Sequence, residues 1–136
     1  DITVVSYGST LRIVEKASVI LEKHDISIEL IDLQSLIPFD IDNEISQSVQ
    51  KTNKLLIIDE DYPGGASSYI LNKVLNEQDA FKFLDSKPET LTAKEHRPPY
   101  GTDGDYYSKP SIDDVFEKIY KIMKEYNPDK FKLDLG

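Results

Sequence analysis

Short runs of β-branched and aliphatic residues alternate with helical segments along most of the chain, and this alternation limits the folds open to it. Such runs are typical of strands buried in a sheet, and they predict strands at residues 2–6, 26–33 and 54–59. Helical periodicity predicts helices at residues 10–25, 40–49 and 66–78. Parallel strands need crossover connections, so this order predicts an α/β fold with three αβα layers and a mostly parallel sheet.

The last third of the chain carries weaker strand signals and one strong helix signal. Residues 89–93 (ETLTA) predict a last strand, and the Pro-, Gly- and Tyr-rich segment 98–110 predicts an ordered surface loop. Ser111 and Asp114 have the spacing of a capping box, which predicts that a final helix begins there. Its apolar stripe is predicted to contain Ile112, Val115, Phe116, Ile119, Met123 and Tyr126.

Length and composition limit the classes of protein further. A chain of 136 residues predicts a single domain, 1–136, and a start on Asp1 at a strand predicts a piece cut from a longer polypeptide. The 25 acidic against 16 basic residues, a net charge of −9, disfavour nucleic acid and anionic membranes and favour a basic protein partner. The absence of cysteine excludes disulfides and thiolate sites, and favours a cytoplasmic location. No apolar run is long enough to cross a bilayer.

Ligands of open α/β sheets gather beyond the carboxyl ends of the strands, so the loops there are the first candidates for a site. Residues 7–10 (YGST) lack the glycine spacing of a dinucleotide loop and favour helix capping. Residues 59–66 (DEDYPGGA) are more unusual, because they join three carboxylates to paired glycines. Two interpretations stay open: contact with the following turn or a neighbouring subunit, or a plain acidic turn with a glycine kink.

The sequence gives little support for a phosphorylatable receiver or for a histidine-based metal site. A phosphorylatable receiver needs an acidic pair after its first strand to hold magnesium, whereas this chain has Ser6, Tyr7 and Gly8 there. His24 and His96 lie far apart and lack metal-ligand spacing; His24 is interpreted as a charge at a helix end, and the role of His96 stays open. We therefore predict no catalytic, cofactor-binding or metal-binding residue in this chain.

A resemblance to a known family rests on three segments and on their order along the chain: TVVSYGST (3–10), IDLQSLIPFD (31–40) and LLIIDEDYPGGA (55–66). Together they resemble the transketolase C-terminal-like domain of the thiamine-dependent decarboxylating component of pyruvate and branched-chain 2-oxoacid dehydrogenases, in its beta subunit. Residues 96–111 (HRPPYGTDGDYYSKPS) resemble the version in which the alpha and beta parts form one fused polypeptide.

The resemblance implies oxidative decarboxylation of a 2-oxoacid on thiamine diphosphate, followed by transfer of the acyl group to a lipoyl group on an acyltransferase. It also implies that thiamine diphosphate and magnesium are bound by the remaining domains of the enzyme and not by this one. The isolated domain is then expected to support subunit association, as in a homodimer, and to be inactive. Which 2-oxoacid is used is left undetermined.

The resemblance further assigns two sets of contact residues. Acidic residues before the last strand of the family's domain contact the basic peripheral-subunit-binding domain of the acyltransferase, which here indicates Asp85 and Glu89 with Phe81 beside them. The alternative is that both acids are ordinary solvated residues. A second hypothesis assigns subunit packing to Asp59, Glu60, Tyr62, Gly64 and Gly65. The competing function class is a free-standing α/β binding or receiver-like module.

Overall fold

The computed structural model describes residues 1–8, 10–33, 44–59, 66–78, 80–92, 94–96, 106–108 and 110–133. The strands are β1 (Ile2–Ser6), β2 (Ile28–Asp32), β3 (Leu55–Ile58), β4 (Glu89–Leu91), β5 (Lys94–His96) and β6 (Tyr106–Ser108). The α-helices are α1 (Thr10–Glu22), α2 (Glu44–Thr52), α3 (Ala66–Asn72) and α4 (Ile112–Tyr126). A π-helical turn, Lys73–Glu77, continues α3, and a 3-10 turn, Ala80–Phe83, precedes β4.

Strands β1 to β4 form one parallel sheet in the order β2-β1-β3-β4. Val4 of β1 lies opposite Leu30 of β2 and Leu56 of β3, so the central strand is bonded on both sides. β1 and β3 are buried throughout, whereas the edge strand β2 is largely half-buried. This burial agrees with the continuous apolar runs in β1 and β3, and the predicted α/β fold with a parallel sheet is confirmed.

Apolar clusters cover both faces of this sheet. Successive side chains of a strand point to opposite faces, so Val4 packs in the cluster beneath α1 and α4, whereas Val5 packs in the cluster beneath α2 and α3. The first cluster takes Val14 from α1 and Ile119 from α4. Helices therefore cover both sides of the sheet, and the predicted three-layer αβα arrangement is confirmed.

Helix α4 begins as its sequence predicts. The amide of Asp114 donates to the Ser111 hydroxyl at 3.1 Å, and the amide of Ser111 donates to the Asp114 carboxylate at 2.8 Å, which completes the capping box. Replacing Ser111 by Ala is expected to lower the free energy of unfolding by about 1 kcal/mol, because one helix amide loses its acceptor. Ser18→Ala, on the outer side of α1, is the matched control and should be close to neutral. Urea unfolding followed by circular dichroism measures both changes, and equal losses would contradict the capping role.

The predicted apolar stripe of α4 is wrong at its last position. Tyr126 is 60% exposed, whereas Tyr120 and Ile122, which the stripe omits, are buried. The chain turns after α4 and runs back along it, so that the buried ring of Phe131 fills the core instead. The returning segment is held where the Leu133 amide donates to the Tyr120 hydroxyl at 3.0 Å.

The segment after β4 differs from its prediction. The strand predicted at residues 89–93 is present as β4, Glu89–Leu91. It is not the last strand, because β5 and β6 pair as a separate antiparallel hairpin, with His96 opposite Tyr106, and β6 lies in the segment 98–110 that the sequence predicts as a loop. Each strand has only three residues, too few for a periodic pattern to be recognised. Most of the predicted loop lies outside the described residues.

The turn between α1 and β2 explains why the strand starts later than predicted. Asp25 adopts the left-handed conformation (φ 62°), and the amide of Ile26 donates to the Leu21 carbonyl at 3.1 Å. Ile26 therefore closes the turn that follows α1 and is buried in the core beside Leu21, so the strand begins at Ile28. The ring of His24 lies edge-on to Phe116, with 5.2 Å between centroids, so it takes part in the contact of α1 with α4.

Candidate functional site

At the carboxyl edge of the sheet, Asp59 follows β3 and is completely buried. Its carboxylate accepts a hydrogen bond from the amide of Ser67 at 3.1 Å and another from the hydroxyl of Tyr7, which follows β1. The side chain thus ties the first turn of α3 to the end of β1. A side chain without exposed surface does not contact a partner directly, so within the interface hypothesis Asp59 supports the neighbouring segment. Glu60, Tyr62, Gly64 and Gly65, the other predicted interface residues, lie outside the described residues.

The hydroxyl groups beside Asp59 are bonded within the fold. Ser6 donates to the carbonyl of Ile58 at 3.1 Å, Thr10 donates to the carbonyl of Tyr7 at 2.6 Å, and the two hydroxyl oxygens lie 2.6 Å apart. These bonds fasten β1 to β3 and to the start of α1. The hydroxyls are therefore structural ties between neighbouring segments.

At the amino edge of the sheet, Lys54 carries a buried charge that the sequence analysis did not single out. Its ammonium contacts both carboxylate oxygens of Asp85, at 2.9 and 3.0 Å, and lies 3.4 Å from the ring centroid of Tyr126. The Lys54 side chain is 3% exposed and that of Asp85 37%. One lysine therefore links the start of β3, the loop before β4 and the end of α4. The sequence signal for this buried charge was the position of Lys54 at the start of an apolar run that predicts a strand.

Backbone contacts hold the same loop in place. Asn53 adopts the left-handed conformation (φ 63°), which asparagine tolerates better than most residues. Its side-chain amide donates to the Phe83 carbonyl at 2.7 Å, and the Asp85 amide donates to the Asn53 carbonyl at 2.9 Å. Two hydrogen bonds to Asn53 therefore fix the backbone of the loop that carries Asp85, and they place its carboxylate beside Lys54.

A pocket of about 370 Å³ opens beside this loop. It is lined mainly by Asp85, Lys87, Glu89, Ile122, Glu125 and Tyr126, and we call it the loop–α4 pocket. The structure therefore brings two of the predicted docking residues, Asp85 and Glu89, into one pocket. Phe81, the third, is 71% exposed on the 3-10 turn and does not line it.

Glu89 also has an internal partner. The ammonium of Lys118, on α4, lies 3.3 Å from the Glu89 carboxylate, and both side chains are partly buried. Both predicted acidic docking residues are thus paired with lysines of the same chain.

The parts of the chain that the structure describes contain no group of three or more acidic or histidine side chains suited to a metal ion. They also contain no helix with the length and apolar character needed to cross a membrane.

Comparison with known proteins decides the family. The sequence pattern of the family described as "Transketolase, C-terminal domain" matches residues 1–112. The chain belongs to this transketolase C-terminal domain family. A solved structure titled "Split gene transketolase, inactive beta4 tetramer" has the same fold, with a TM-score of 0.60 at 22% identity over 89% of this chain and 37% of its own.

Curated relatives of this transketolase C-terminal domain are named beta subunits of the pyruvate dehydrogenase E1 component. The protein of Acholeplasma laidlawii is 34% identical over 91% of this chain, and that of Rickettsia felis 31% identical over 90%. A mitochondrial beta-2 subunit of Oryza sativa subsp. japonica is 33% identical over 85% of the chain. The chain spans about a third of the length of these relatives, 37% of the first two and 30% of the third.

Proposed function

We propose that this chain is the C-terminal domain of the decarboxylating E1 component of a 2-oxoacid dehydrogenase complex. The observation that carries the proposal is the 34% identity with an E1 beta subunit along 91% of the chain. The complete enzyme would oxidatively decarboxylate a 2-oxoacid on thiamine diphosphate with magnesium and pass the acyl group to a lipoyl group. The names of the relatives favour pyruvate over branched-chain oxoacids. A separate beta subunit and a fused alpha-beta chain both fit, and the cysteine-free composition supports a cytoplasmic enzyme.

The test of this proposal is made on the complete protein. If the reading frame upstream of Asp1 encodes thiamine-binding domains, the purified protein should decarboxylate pyruvate when thiamine diphosphate and magnesium are supplied. An upstream sequence without such domains, in a protein that neither binds thiamine diphosphate nor turns over any 2-oxoacid, would favour a free-standing α/β binding module.

Within that enzyme we assign this domain to assembly and place no catalytic, cofactor-binding or metal-binding residue in it. Phe81, Asp85 and Glu89 are proposed to dock the basic peripheral-subunit-binding domain of the acyltransferase. The net charge of −9 and the exposed ring of Phe81 support this role. The segment from Asp59 to Gly65 is proposed to pack against a second copy of the chain in a homodimer. Tyr62 and the glycines would make the contact, and buried Asp59 would hold the segment.

The ion pairs determine which substitutions can test docking. Charge reversal at Asp85 would place a second cation against buried Lys54 and disturb the fold, so it reports stability as well as binding. Phe81→Ala and Glu89→Gln avoid this problem, because Phe81 is exposed and Glu89 is paired near the surface. These two substitutions therefore provide the cleaner test.

We expect Phe81→Ala to weaken binding of the peripheral-subunit-binding domain about tenfold, because exposed aromatic side chains are often the main anchors of an interface. Glu89→Gln should weaken it about threefold at low salt and less at high salt, since the lost attraction is screened. Calorimetric titration at two salt concentrations measures both. Val19→Ala, at an exposed site on α1, and Glu29→Gln, in a surface ion pair on β2, are the matched controls. Wild-type affinity in both test variants would remove these residues from the interface.

A further inference from the structure

We propose that residues 127–133, which we call the return segment, leave their own chain and take the same place on a second copy, so that two copies exchange this segment. The inference goes beyond the proposed function, because it depends only on contacts around the end of α4 and not on the activity of the enzyme. The return segment follows α4 and lies outside residues 1–112 that match the family pattern. The structure shows the closed arrangement, in which the segment lies on its own chain.

A single side chain anchors the return segment. Phe131 is 3% exposed and packs in the core cluster beneath α1 and α4, with its ring edge-on to that of Tyr120 at 5.8 Å between centroids. Apart from half-buried Asn127, the other residues of the segment are exposed: Pro128, Asp129, Lys130, Lys132 and Leu133. Segments with few buried apolar contacts open at a lower free energy than the body of a domain. The return segment is therefore held in the manner of a bound peptide with one aromatic anchor.

The contacts that hold the anchor are made to residues that come before the segment. The Tyr120 hydroxyl accepts a hydrogen bond from the Leu133 amide at 3.0 Å, and the Lys124 ammonium donates to the Leu133 carbonyl at 3.0 Å. Tyr120 and Lys124 both belong to α4. A second copy presents the same helix and the same core site, so exchange would preserve the buried ring contact and both hydrogen bonds. Exchange of an identical segment is for this reason a low-cost route to association.

The contacts that exchange would lose lie within the turn that follows α4. The Phe131 amide donates to the Asn127 carbonyl at 3.1 Å, and the Lys130 amide donates to the Asn127 side-chain oxygen at 3.3 Å. Hydrogen bonds in an exposed turn contribute little net stability, because water replaces them when the turn opens. Asn127 also precedes Pro128, and the residue before a proline favours extended backbone. An open segment therefore costs the chain little more than a few exposed hydrogen bonds.

The length of the segment limits where the second copy lies. Residues 127–131 span at most about 17 Å when extended, so exchanging copies must bring the ends of their α4 helices side by side. A segment tethered this closely meets its own site at an effective concentration on the order of millimolar. We therefore expect exchange to be scarce in dilute solution and substantial near about 1 mM, or wherever another interface already holds two copies together. The Phe131 ring is buried before and after exchange and exposed only in between, so exchange should also be slow.

Chemical cross-linking between two marked populations of the complete protein tests the exchange. One population carries Lys124→Cys and the other Leu133→Cys, and the 136 residues contain no other cysteine. The populations are incubated together in urea below the unfolding transition, which speeds opening, and are then treated with a short bismaleimide. A cross-link between them requires the return segment of one copy to lie on α4 of the other. We expect the yield to rise at least tenfold between about 10 μM and about 1 mM protein.

Three further variants control this measurement. Val19→Cys, at an exposed site of α1, takes the place of Lys124→Cys and reports cross-links from chance encounters or from another interface. Phe131→Ala in the Leu133→Cys population removes the anchor and should reduce the yield to that background. Phe131→Leu weakens the anchor equally on both copies, so it should leave the final yield nearly unchanged and speed the exchange about fivefold. This rate keeps the test decisive if the alanine variant does not fold.

A hinge variant tests the role of the turn. Pro128→Ala removes the preference of Asn127 for extended backbone, which favours the closed turn, and should lower the yield about twofold. Circular dichroism checks that this variant remains folded.

Several results would overturn the exchange. One is a yield no higher than the Val19→Cys background at every protein concentration. Another is a cross-link that Phe131→Ala leaves intact, because a different surface would then bring the two positions together. A rate that Phe131→Leu does not change would also contradict it. None of these readouts depends on thiamine diphosphate or on an acyltransferase, so the exchange and the proposed function stand or fall separately.

Discussion

Replacing Asp85 by Ala is expected to lower the free energy of unfolding by about 2–3 kcal/mol, because it leaves the ammonium of Lys54 buried without a counter-charge. Removing one partner of a fully buried ion pair costs about 3–5 kcal/mol. The loss expected here is smaller because Asp85 is 37% exposed and the pair is partly screened by water. Urea unfolding followed by circular dichroism measures the change.

The opposite substitution in the same pair should be much milder. Lys54→Met keeps most of the buried side chain and leaves Asp85 free to be solvated, so we expect a loss of about 1 kcal/mol, part of it from the lost contact with Tyr126. Glu29→Gln breaks the exposed pair with Lys51 and should cost less than about 0.5 kcal/mol. Equal losses from Asp85→Ala and Lys54→Met would contradict the view that burial of the ammonium makes the pair asymmetric.

Replacing Asp59 by Ala should lower the free energy of unfolding by about 2–4 kcal/mol, because the Ser67 amide and the Tyr7 hydroxyl lose their acceptor inside the protein. Each unpaired buried donor costs about 1–3 kcal/mol, and relief of the desolvation of the carboxylate offsets part of the sum. Tyr7→Phe removes one of the donors and keeps the tie to α3, so it should cost less, about 1–2 kcal/mol.

The same variant reports on the proposed subunit contact. If Asp59 holds the segment that packs against a second copy, then Asp59→Ala should weaken self-association in sedimentation velocity under conditions where the variant remains folded. Tyr7→Phe retains the bond to the Ser67 amide and should associate more tightly than Asp59→Ala. Unchanged association in Asp59→Ala would separate the role of Asp59 in the fold from any role in the dimer.

Much of the fold could be predicted because its signals are local. The apolar runs of β1 and β3 indicate strands without knowledge of their neighbours, and the Ser111 capping box depends on residues three positions apart. The hairpin of β5 and β6 could not be predicted, because three-residue strands carry no usable period and depend on pairing with each other. The exposure of Tyr126 was missed for a related reason, since helical periodicity does not reveal where the sheet beneath a helix ends.

Sequence resemblance pointed to two residues of the loop–α4 pocket but not to their partners within the chain. Family resemblance placed Asp85 and Glu89 before and at the start of the last parallel strand, and the structure places both in one pocket. That Lys54 and Lys118 engage these carboxylates depends on contacts between segments far apart in the sequence. A lysine at the start of a strand is usually solvated, so only the tertiary structure shows that Lys54 is buried.

The contact of Lys54 with Tyr126 also has a consequence for biosynthesis. β1, β2 and β3 emerge from the ribosome before α4 and can pair with each other, whereas Tyr126 is made only after all three strands. Until α4 has been synthesised and has docked, Lys54 has no ring above it and the pocket has only one wall. A partner that recognises the finished pocket would therefore bind chains in which α4 has docked, in preference to nascent chains that still lack this helix.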